Sequence, residues 1–236
     1  SWTLTALPLF VWMGEILFRT KLSENLFKGL SPWMQKLPGG LIHVNVVGCA
    51  LFAAISGSSA ATVATVGKMS IPELRKRNYP EKILLGSLAG SGTLGLLIPP
   101  SIILIIYGVA VQESIAKLFI AGIIPGIMIA LIFMSYVIIW SLINKKSMPK
   151  IIEEYSFFEK IKRSKQLLPV IILILAVIGS IYTGIATATE AASLGVVGAL
   201  ILSYFQKSLT LKTFKSSLLG ATKTSCMIAF ILAGST

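Results

Sequence analysis

The pattern of apolar and polar residues divides the chain into hydrophobic runs separated by short basic stretches. Uninterrupted apolar runs lie at residues 4–18, 118–143, 167–185 and 191–205. The first is long enough for only part of a membrane span, whereas residues 118–143 are long enough for a whole one. Lys and Arg lie between the runs, most densely at residues 144–166. This pattern predicts an all-α polytopic membrane protein.

Two further apolar segments are interrupted near their middle by small and polar residues. The segment at 41–67 is broken at Ser56-Gly57-Ser58-Ser59, and the segment at 83–111 is broken between Gly92 and Pro100. Backbone groups left unpaired in hydrocarbon each cost several kcal/mol, so such breaks persist only where protein or water satisfies them. Transporters place broken helices of this kind at their binding sites. The two breaks therefore predict a functional site.

The distribution of positive charge predicts how these segments cross the membrane. Basic stretches at residues 19–36 and 68–82 flank the first interrupted segment on both sides. The positive-inside rule places both stretches in the cytoplasm, so the segment must return to the side from which it entered. We therefore expect a re-entrant helical hairpin with its tip at residues 56–59. The second interrupted segment then crosses outward, and residues 118–143 cross back to the basic stretch at 144–166.

The breaks carry chemistry that suits a small cation and an anion. A helix that ends offers free carbonyl groups, and one that begins offers free N–H groups and a positive dipole end. Facing each other, the two breaks could supply about five oxygen ligands for a dehydrated Na⁺ without any carboxylate. The helix starts at Ala60 and Ser101 could meet an anionic substrate. The alternative is a Ser/Gly-rich packing surface with a proline kink.

Composition and the remaining polar residues exclude other classes of protein. The chain is 55% hydrophobic and carries a net charge of +12, but the positive residues are juxtamembrane, which argues against nucleic-acid binding. Cys49 and Cys226 are isolated and are interpreted as core residues. Glu15 could couple an ion, although a place at the membrane interface beside Arg19 is favoured. An intramembrane enzyme is disfavoured because Glu15, Glu190 and His43 are too scattered to form a catalytic set.

The chain begins at Ser1 and ends within an apolar run, so we expect a fragment of a longer protein.

Four sequence stretches resemble the large membrane subunit of tripartite ATP-independent periplasmic (TRAP) transporters. They read PGGLIHVNVVGCALFAAISGSSAATVATVG, GSLAGSGTLGLLIPPSIILIIYGV, SIAKLFIAGIIPG and GIATATEAASLGVVGAL. The resemblance implies an inverted-repeat, elevator-type transporter with a re-entrant hairpin and a broken transmembrane helix. It also implies a multi-pass protein of the bacterial inner membrane that is driven by a Na⁺ gradient. The implied partners are a periplasmic substrate-binding protein and a small membrane subunit, separate or fused.

The resemblance also implies which residues bind ligands. The Na⁺ site would use Ser56 and Ser58 of the hairpin tip with Gly95, Ile98 and Pro100 of the broken helix, the last three mainly through backbone carbonyls. The candidates for substrate contact are Ser58, Ser59 and Thr93. Many relatives carry an acidic residue soon after the tip, where this chain has Thr62.

The implied function is Na⁺-coupled import of a small organic acid anion, such as a C4-dicarboxylate, a keto acid or a sialic acid. The alternative is a Na⁺/dicarboxylate symporter of related hairpin architecture that needs no binding protein. We expect four parts along the chain: a scaffold helix end and amphipathic arm (1–40), the transport hairpin and broken helix (41–112), scaffold helices with a cytoplasmic loop at 144–166 (113–206), and an amphipathic connector that leads into a second repeat (207–236).

Overall fold

A computed structural model describes residues 2–20, 22–149 and 155–235, and these ranges contain helices and no β-strand. The α-helices are α1 (Ala6–Phe18), α2 (Leu22–Met34), α3 (Ile42–Ser56), α4 (Ser59–Lys76), α5 (Glu81–Gly92), α6 (Ile102–Ala110), α7 (Ile115–Ile143), α8 (Phe157–Ser164), α9 (Leu168–Tyr182), α10 (Ala188–Phe205) and α11 (Leu211–Ser235). The prediction of an all-helical protein is confirmed. Lys21 and Lys150, which contribute to the basic stretches, lie outside the described residues.

Several of these helices are long and apolar enough to cross a membrane. Within the described part of the chain, α7, α10 and the stretch Leu211–Gly234 of α11 meet this criterion. Helices α8 and α9 meet at a bend of 56° and would together make a fourth span. Helix α7 continues without a break through Pro125 over 29 residues. These helices agree with a polytopic membrane protein.

Helices α3 and α4 form a hairpin around Gly57. This residue has a φ of 58°, in the left-handed region that glycine adopts without strain, and it ends α3. Ser58 is extended, and its hydroxyl accepts a hydrogen bond from the Ala61 amide at 3.4 Å, which caps α4. At the other end of the hairpin, the Leu41 amide donates to the Tyr79 hydroxyl at 3.0 Å. The chain therefore returns to its starting point, and the break lies at the predicted residues.

Helix α5 packs against both helices of the hairpin and carries the second break. The buried Asn45 side chain donates to the Leu84 carbonyl at 3.2 Å and to the Ser87 hydroxyl at 2.9 Å, which joins α3 to α5. A 3₁₀ turn, Thr93–Leu96, extends α5, and α6 begins at Ile102 beyond the two prolines. The predicted interruption between residues 92 and 100 is confirmed.

The remaining helices surround this unit. Helix α1 packs against α10 and α11, and Phe10 of α1 meets Phe119 of α7 edge to face at 6.2 Å. The amphipathic stretch predicted before the hairpin forms α2, whose Trp33 packs against Phe157 of α8. Helix α11 is continuous from Leu211 to Ser235, so the expected basic connector and the following apolar stretch form a single helix.

Candidate functional site

The two helix breaks lie in direct backbone contact. The Ile102 amide at the start of α6 donates to the Gly57 carbonyl at 3.3 Å. A Cβ atom added to Gly95 would lie 2.9 Å from both the Ser58 carbonyl carbon and the Ser59 nitrogen. Only a glycine permits this approach, because any side chain at residue 95 would meet the backbone of the tip. The structure therefore brings the two breaks together, as the sequence led us to expect.

A compact group of oxygen atoms lies at the hairpin tip. The hydroxyls of Ser56 and Thr62 are 2.9 Å apart, and both residues are buried. The Ser58 carbonyl accepts from the Thr62 amide at 3.0 Å and from the Ser56 hydroxyl at 3.3 Å. The Ser56 hydroxyl at the end of α3 thus lies within hydrogen-bonding distance of the Thr62 hydroxyl and of the Ser58 carbonyl at the start of α4.

The broken helix contributes carbonyl groups that have lost their helical donors. Pro99 has no N–H, and the Ile98 amide bonds to Leu94 at 2.8 Å, so neither can donate to the Gly95 carbonyl. The Leu96 carbonyl is satisfied by the buried Ser101 hydroxyl at 2.6 Å. The Gly95 carbonyl therefore has a lone pair available for a ligand.

Four of the five residues predicted to bind Na⁺ have contacts at the meeting point of the two breaks. Ser56 and Ser58 form the tip, Gly95 contacts Ser58, and a Cβ atom on Gly57 would collide with the Pro100 carbonyl oxygen. The fifth, Ile98, is predicted to bind through its backbone carbonyl; its side chain packs towards α7, where a Cβ atom on Gly126 would lie 2.9 Å from it. The role of these residues as ligands stays a prediction.

The predicted substrate contacts differ in how they are oriented. Ser58 and Ser59 lie at the tip, and the Ser59 hydroxyl is buried without a hydrogen-bond partner, although such groups are normally satisfied. Thr93 is exposed, and its hydroxyl donates to the Gly90 carbonyl at 2.6 Å within its own helix. Ser59 is thus available to a ligand, whereas the Thr93 hydroxyl already has a partner.

Two residues at this site were not assigned from the sequence. Thr62 stands out there only as a departure from the family pattern, but helical side chains lean towards the helix N-terminus, which brings its hydroxyl to the tip. Gly14 of α1 packs closely against the tip, since a Cβ atom on Gly14 would lie 2.8 Å from the Ser56 Cα. No local pattern indicates this contact, because it depends on how α1 packs.

The site is polar but has no ionisable ligand set. The described residues hold no group of three or more His, Cys, Asp or Glu side chains that could bind a metal. Hydroxyl and carbonyl oxygens suit hard cations, while imidazole and thiolate suit transition metals. The first turns of α4 and α6 add the positive ends of their dipoles. The arrangement can therefore hold a hard cation beside an anion.

Glu15 and His43 make local contacts elsewhere. The Glu15 carboxylate pairs with Arg19 at 2.9 Å, in accord with the favoured place beside that residue. The Arg19 guanidinium also donates to the Ser216 carbonyl at 3.0 Å, which ties α1 to α11. His43 bonds through Nε2 to the Pro38 carbonyl at 2.8 Å. Each side chain thus has a structural role in joining neighbouring segments.

An exposed ion pair joins the base of the hairpin to the start of α5. Arg75 donates to the two carboxylate oxygens of Glu81 at 2.6 and 3.2 Å. These hydrogen bonds lower the pKa of the Glu81 carboxyl and raise the pKa of the Arg75 guanidinium. The pair therefore fixes the tight connection between α4 and α5 at the end opposite to the tip.

Comparison with known proteins identifies the family. Residues 1–236 match the family described as tripartite ATP-independent periplasmic transporter, DctM component. The C4-dicarboxylate TRAP transporter large permease protein DctM of Pseudomonas aeruginosa is 35% identical over 98% of this chain and 54% of its own length. The sialic acid TRAP transporter large permease protein SiaM of Vibrio cholerae is 34% identical over 100% of this chain and 55% of its own length.

A third relative, the isethionate TRAP transporter permease protein DctMQ of Oleidesulfovibrio alaskensis, is 33% identical over 100% of this chain and 37% of its own length. The chain thus spans about half the length of the first two relatives. All three are named as transporter permeases, which are not enzymes, and this confirms the prediction of a non-enzymatic protein. The chain belongs to the DctM component family, the large permeases of TRAP transporters.

Proposed function

We propose that this chain supplies the first hairpin and broken helix of a Na⁺-coupled importer of small organic acid anions in the bacterial inner membrane. The observation that carries the proposal is the direct contact between the two breaks, where the hydroxyls of Ser56 and Thr62 and the Ser58 carbonyl lie near the broken helix whose Gly95 carbonyl has lost its helical donors, without a carboxylate. Relatives are named for C4-dicarboxylate, sialic acid and isethionate, all of which are small acids. A relative named for ectoine extends the range to another small polar solute.

In this proposal Na⁺ is a co-transported ion held by oxygen atoms from both breaks. The Ser56 and Thr62 hydroxyls, 2.9 Å apart, would turn from each other towards the ion. The carbonyls of Ser58 and Gly95 complete the set from either side of the contact. Because ligands come from both breaks, binding of the ion stabilises the contact between the tip and the broken helix. Na⁺ thereby prepares the adjacent site for substrate.

The anionic substrate binds next to the ion. The helix starts at Ser58 and Ser101 direct N–H groups and positive dipole ends towards it. The buried Ser59 hydroxyl, which lacks a partner, donates to a substrate carboxylate. The bound cation adds an opposite charge a short distance away, so substrate and Na⁺ bind more tightly together than either alone.

The unit formed by α3 to α6 is the moving part, and its hairpin enters the membrane from the cytoplasm and returns. Helices α7, α9 and α10 belong to the scaffold, with the amphipathic α2 as the arm that links scaffold and mover. A periplasmic binding protein delivers the substrate, and a small membrane subunit completes the transporter.

The test is uptake of labelled C4-dicarboxylate or sialic acid by the full-length permease, reconstituted in proteoliposomes with its binding protein and small subunit. A Na⁺ gradient should drive uptake, and Ser56→Ala should raise the Na⁺ concentration for half-maximal rate. Ser70→Ala is the matched control, because Ser70 is a buried serine of α4 whose hydroxyl has no hydrogen-bond partner. The proposal would be refuted if the rate of uptake did not depend on the Na⁺ gradient, or if Ser56→Ala and Ser70→Ala had the same Na⁺ dependence. Uptake without the binding protein would favour the independent symporter.

A further inference from the structure

A cavity of about 450 Å³ opens beside the base of the hairpin. Its walls are the loop at residues 35–40, the side chain of Tyr79, and the end of α7 with the turn that follows it at 141–149. Lys36 belongs to the loop that lines the cavity and Lys145 to the turn after α7, and the described residues of the lining include no carboxylate. The cavity is therefore positively charged and well separated from the hairpin tip.

The polar wall of the cavity offers a hydrogen-bond donor besides the two ammonium groups. The Tyr79 oxygen accepts from the Leu41 amide at 3.0 Å, which leaves its own proton for another acceptor. Burial raises the pKa of this hydroxyl, so it keeps its proton at neutral pH. Gly39 and Gly40 have φ angles of 102° and 54°, which glycine adopts without strain, and a Cβ atom on Gly40 would lie 2.5 Å from the Tyr79 hydroxyl oxygen.

The opposite side of the cavity continues onto an apolar helix surface. Leu142 lines the cavity and is 48% exposed, and the neighbouring Ile143 and Ile139 of α7 are 76% and 58% exposed. Helix α7 is a candidate membrane span, and the basic residues after it place this end at the cytoplasmic surface. A ligand here would have its charged group in the cavity and apolar chains along α7.

We propose that this cavity binds the phosphate headgroup of an anionic phospholipid of the cytoplasmic leaflet. The phosphate lies between the ammonium groups of Lys36 and Lys145 and accepts a hydrogen bond from Tyr79, while the acyl chains follow α7. Basic pockets beside transmembrane helices on the cytoplasmic side suit such headgroups. A free phosphate ester shares the charge but not the apolar chains, which favours the lipid. The lipid would then connect the loop before α3 to α7.

The test measures lipid binding by the full-length permease purified in detergent, using native mass spectrometry with phosphatidylglycerol and phosphatidylcholine. Each lysine near an anionic headgroup changes affinity by about fivefold, so Lys36→Gln with Lys145→Gln should weaken phosphatidylglycerol binding by at least about tenfold. The matched control is Lys212→Gln with Lys215→Gln, which removes the same charge from α11. Glycerol phosphate is titrated as a competitor.

Selective binding of phosphatidylglycerol that the cavity variant loses and the α11 variant keeps would support the site. Equal phosphatidylglycerol affinity in the cavity variant and the wild type would overturn it, as would equal losses in both double variants. Displacement of the lipid by glycerol phosphate at a similar concentration would overturn the lipid assignment and indicate a site for soluble phosphate esters. Both variants change exposed side chains, so each should remain folded.

Discussion

Replacing Gly95 with alanine would insert a methyl group between the hairpin tip and the broken helix. The new Cβ atom would lie 2.9 Å from the Ser58 carbonyl carbon and the Ser59 nitrogen, and 3.0 Å from the Ser58 oxygen. Favourable contacts between carbon atoms begin near 3.5 Å, so the two backbones must separate by about 0.5 Å. All three contacts are with backbone atoms, which cannot turn away as a side chain could. The strain therefore falls on the proposed Na⁺ ligands.

The free-energy cost of Gly95→Ala can be estimated from the packing at this contact. Overpacking a tightly packed interior costs about 1–3 kcal/mol. If the cost is borne by the Na⁺-bound state, the Na⁺ concentration for half-maximal uptake should rise about fivefold to 150-fold, since about 1.4 kcal/mol corresponds to a factor of ten. If the strain is shared with the ion-free state, the temperature of unfolding should fall as well. Measuring both quantities separates the two contributions.

The assay is Na⁺-dependent uptake in proteoliposomes, with thermal unfolding of the same preparation measured in parallel. Gly86→Ala is the control, because Gly86 lies in α5, which the 3₁₀ turn carrying Gly95 extends, and a Cβ atom there has nothing within 4 Å. That variant should keep wild-type Na⁺ dependence and gain up to about 1 kcal/mol of helix stability. If Gly95→Ala matches Gly86→Ala within twofold in Na⁺ dependence and also unfolds at the same temperature, the inferred contact between the breaks is wrong.

Three further predictions concern the same unit. Gly57→Ala should destabilise the protein by more than Gly184→Ala, since both glycines have positive φ but only Gly57 of the two lies against neighbouring backbone. Chemical unfolding measures both free energies of unfolding. The positive φ alone should cost each variant about 1 kcal/mol. Asn45→Leu should cost about 1–3 kcal/mol by the same measurement, because it removes two buried hydrogen bonds between α3 and α5. Glu81→Gln should lower stability at neutral pH, because the variant loses the ion pair with Arg75. The pKa of Glu81 is lowered in the folded state from an ordinary value of 4.5, so this stabilisation is present above that pH and is lost as the pH falls through the lowered pKa.

Each of these predictions has an outcome that contradicts it. Equal losses at Gly57 and Gly184 would mean that the tip has room for a side chain. An Asn45→Leu variant as stable as the wild type would show that apolar packing replaces the lost hydrogen bonds. For Glu81, thermal unfolding of wild type and Glu81→Gln across pH 3 to 7 is the measurement. If the difference in unfolding temperature between wild type and Glu81→Gln is the same at pH 3 as at pH 7, the carboxylate charge has no role in stability.

The positions of the helix breaks could be predicted because their causes are local. The left-handed φ of Gly57 ends α3, Pro99 and Pro100 lack the N–H groups that would continue a helix, and Ser58 caps the next helix through its own side chain. The structure accordingly ends α3 at Ser56 and begins α6 at Ile102. The amphipathic helix before the hairpin followed from its spacing of apolar residues in the same way.

Contacts that depend on packing could not be read from local patterns. The approach of Gly14 to Ser56 joins residues far apart in sequence, and one glycine in an apolar run has many possible causes. The direction of the Thr93 hydroxyl, which bonds to its own helix, depends on the local turn geometry rather than on residue type. The lysines at 212, 215 and 223 suggest a surface connector, but a helix tolerates them equally well, so the sequence does not indicate where the connector passes into the apolar stretch of α11.

The hydrogen bond from Ile102 to Gly57 has a consequence for how the protein is made. The carbonyl that ends α3 leaves the ribosome well before the amide that will satisfy it, and the whole of α4 and α5 is synthesised in between. In the proposed topology, the tip until then has an unpaired group that hydrocarbon does not tolerate. The nascent hairpin should therefore remain in contact with water or with the insertion machinery, and enter the bilayer only together with α6.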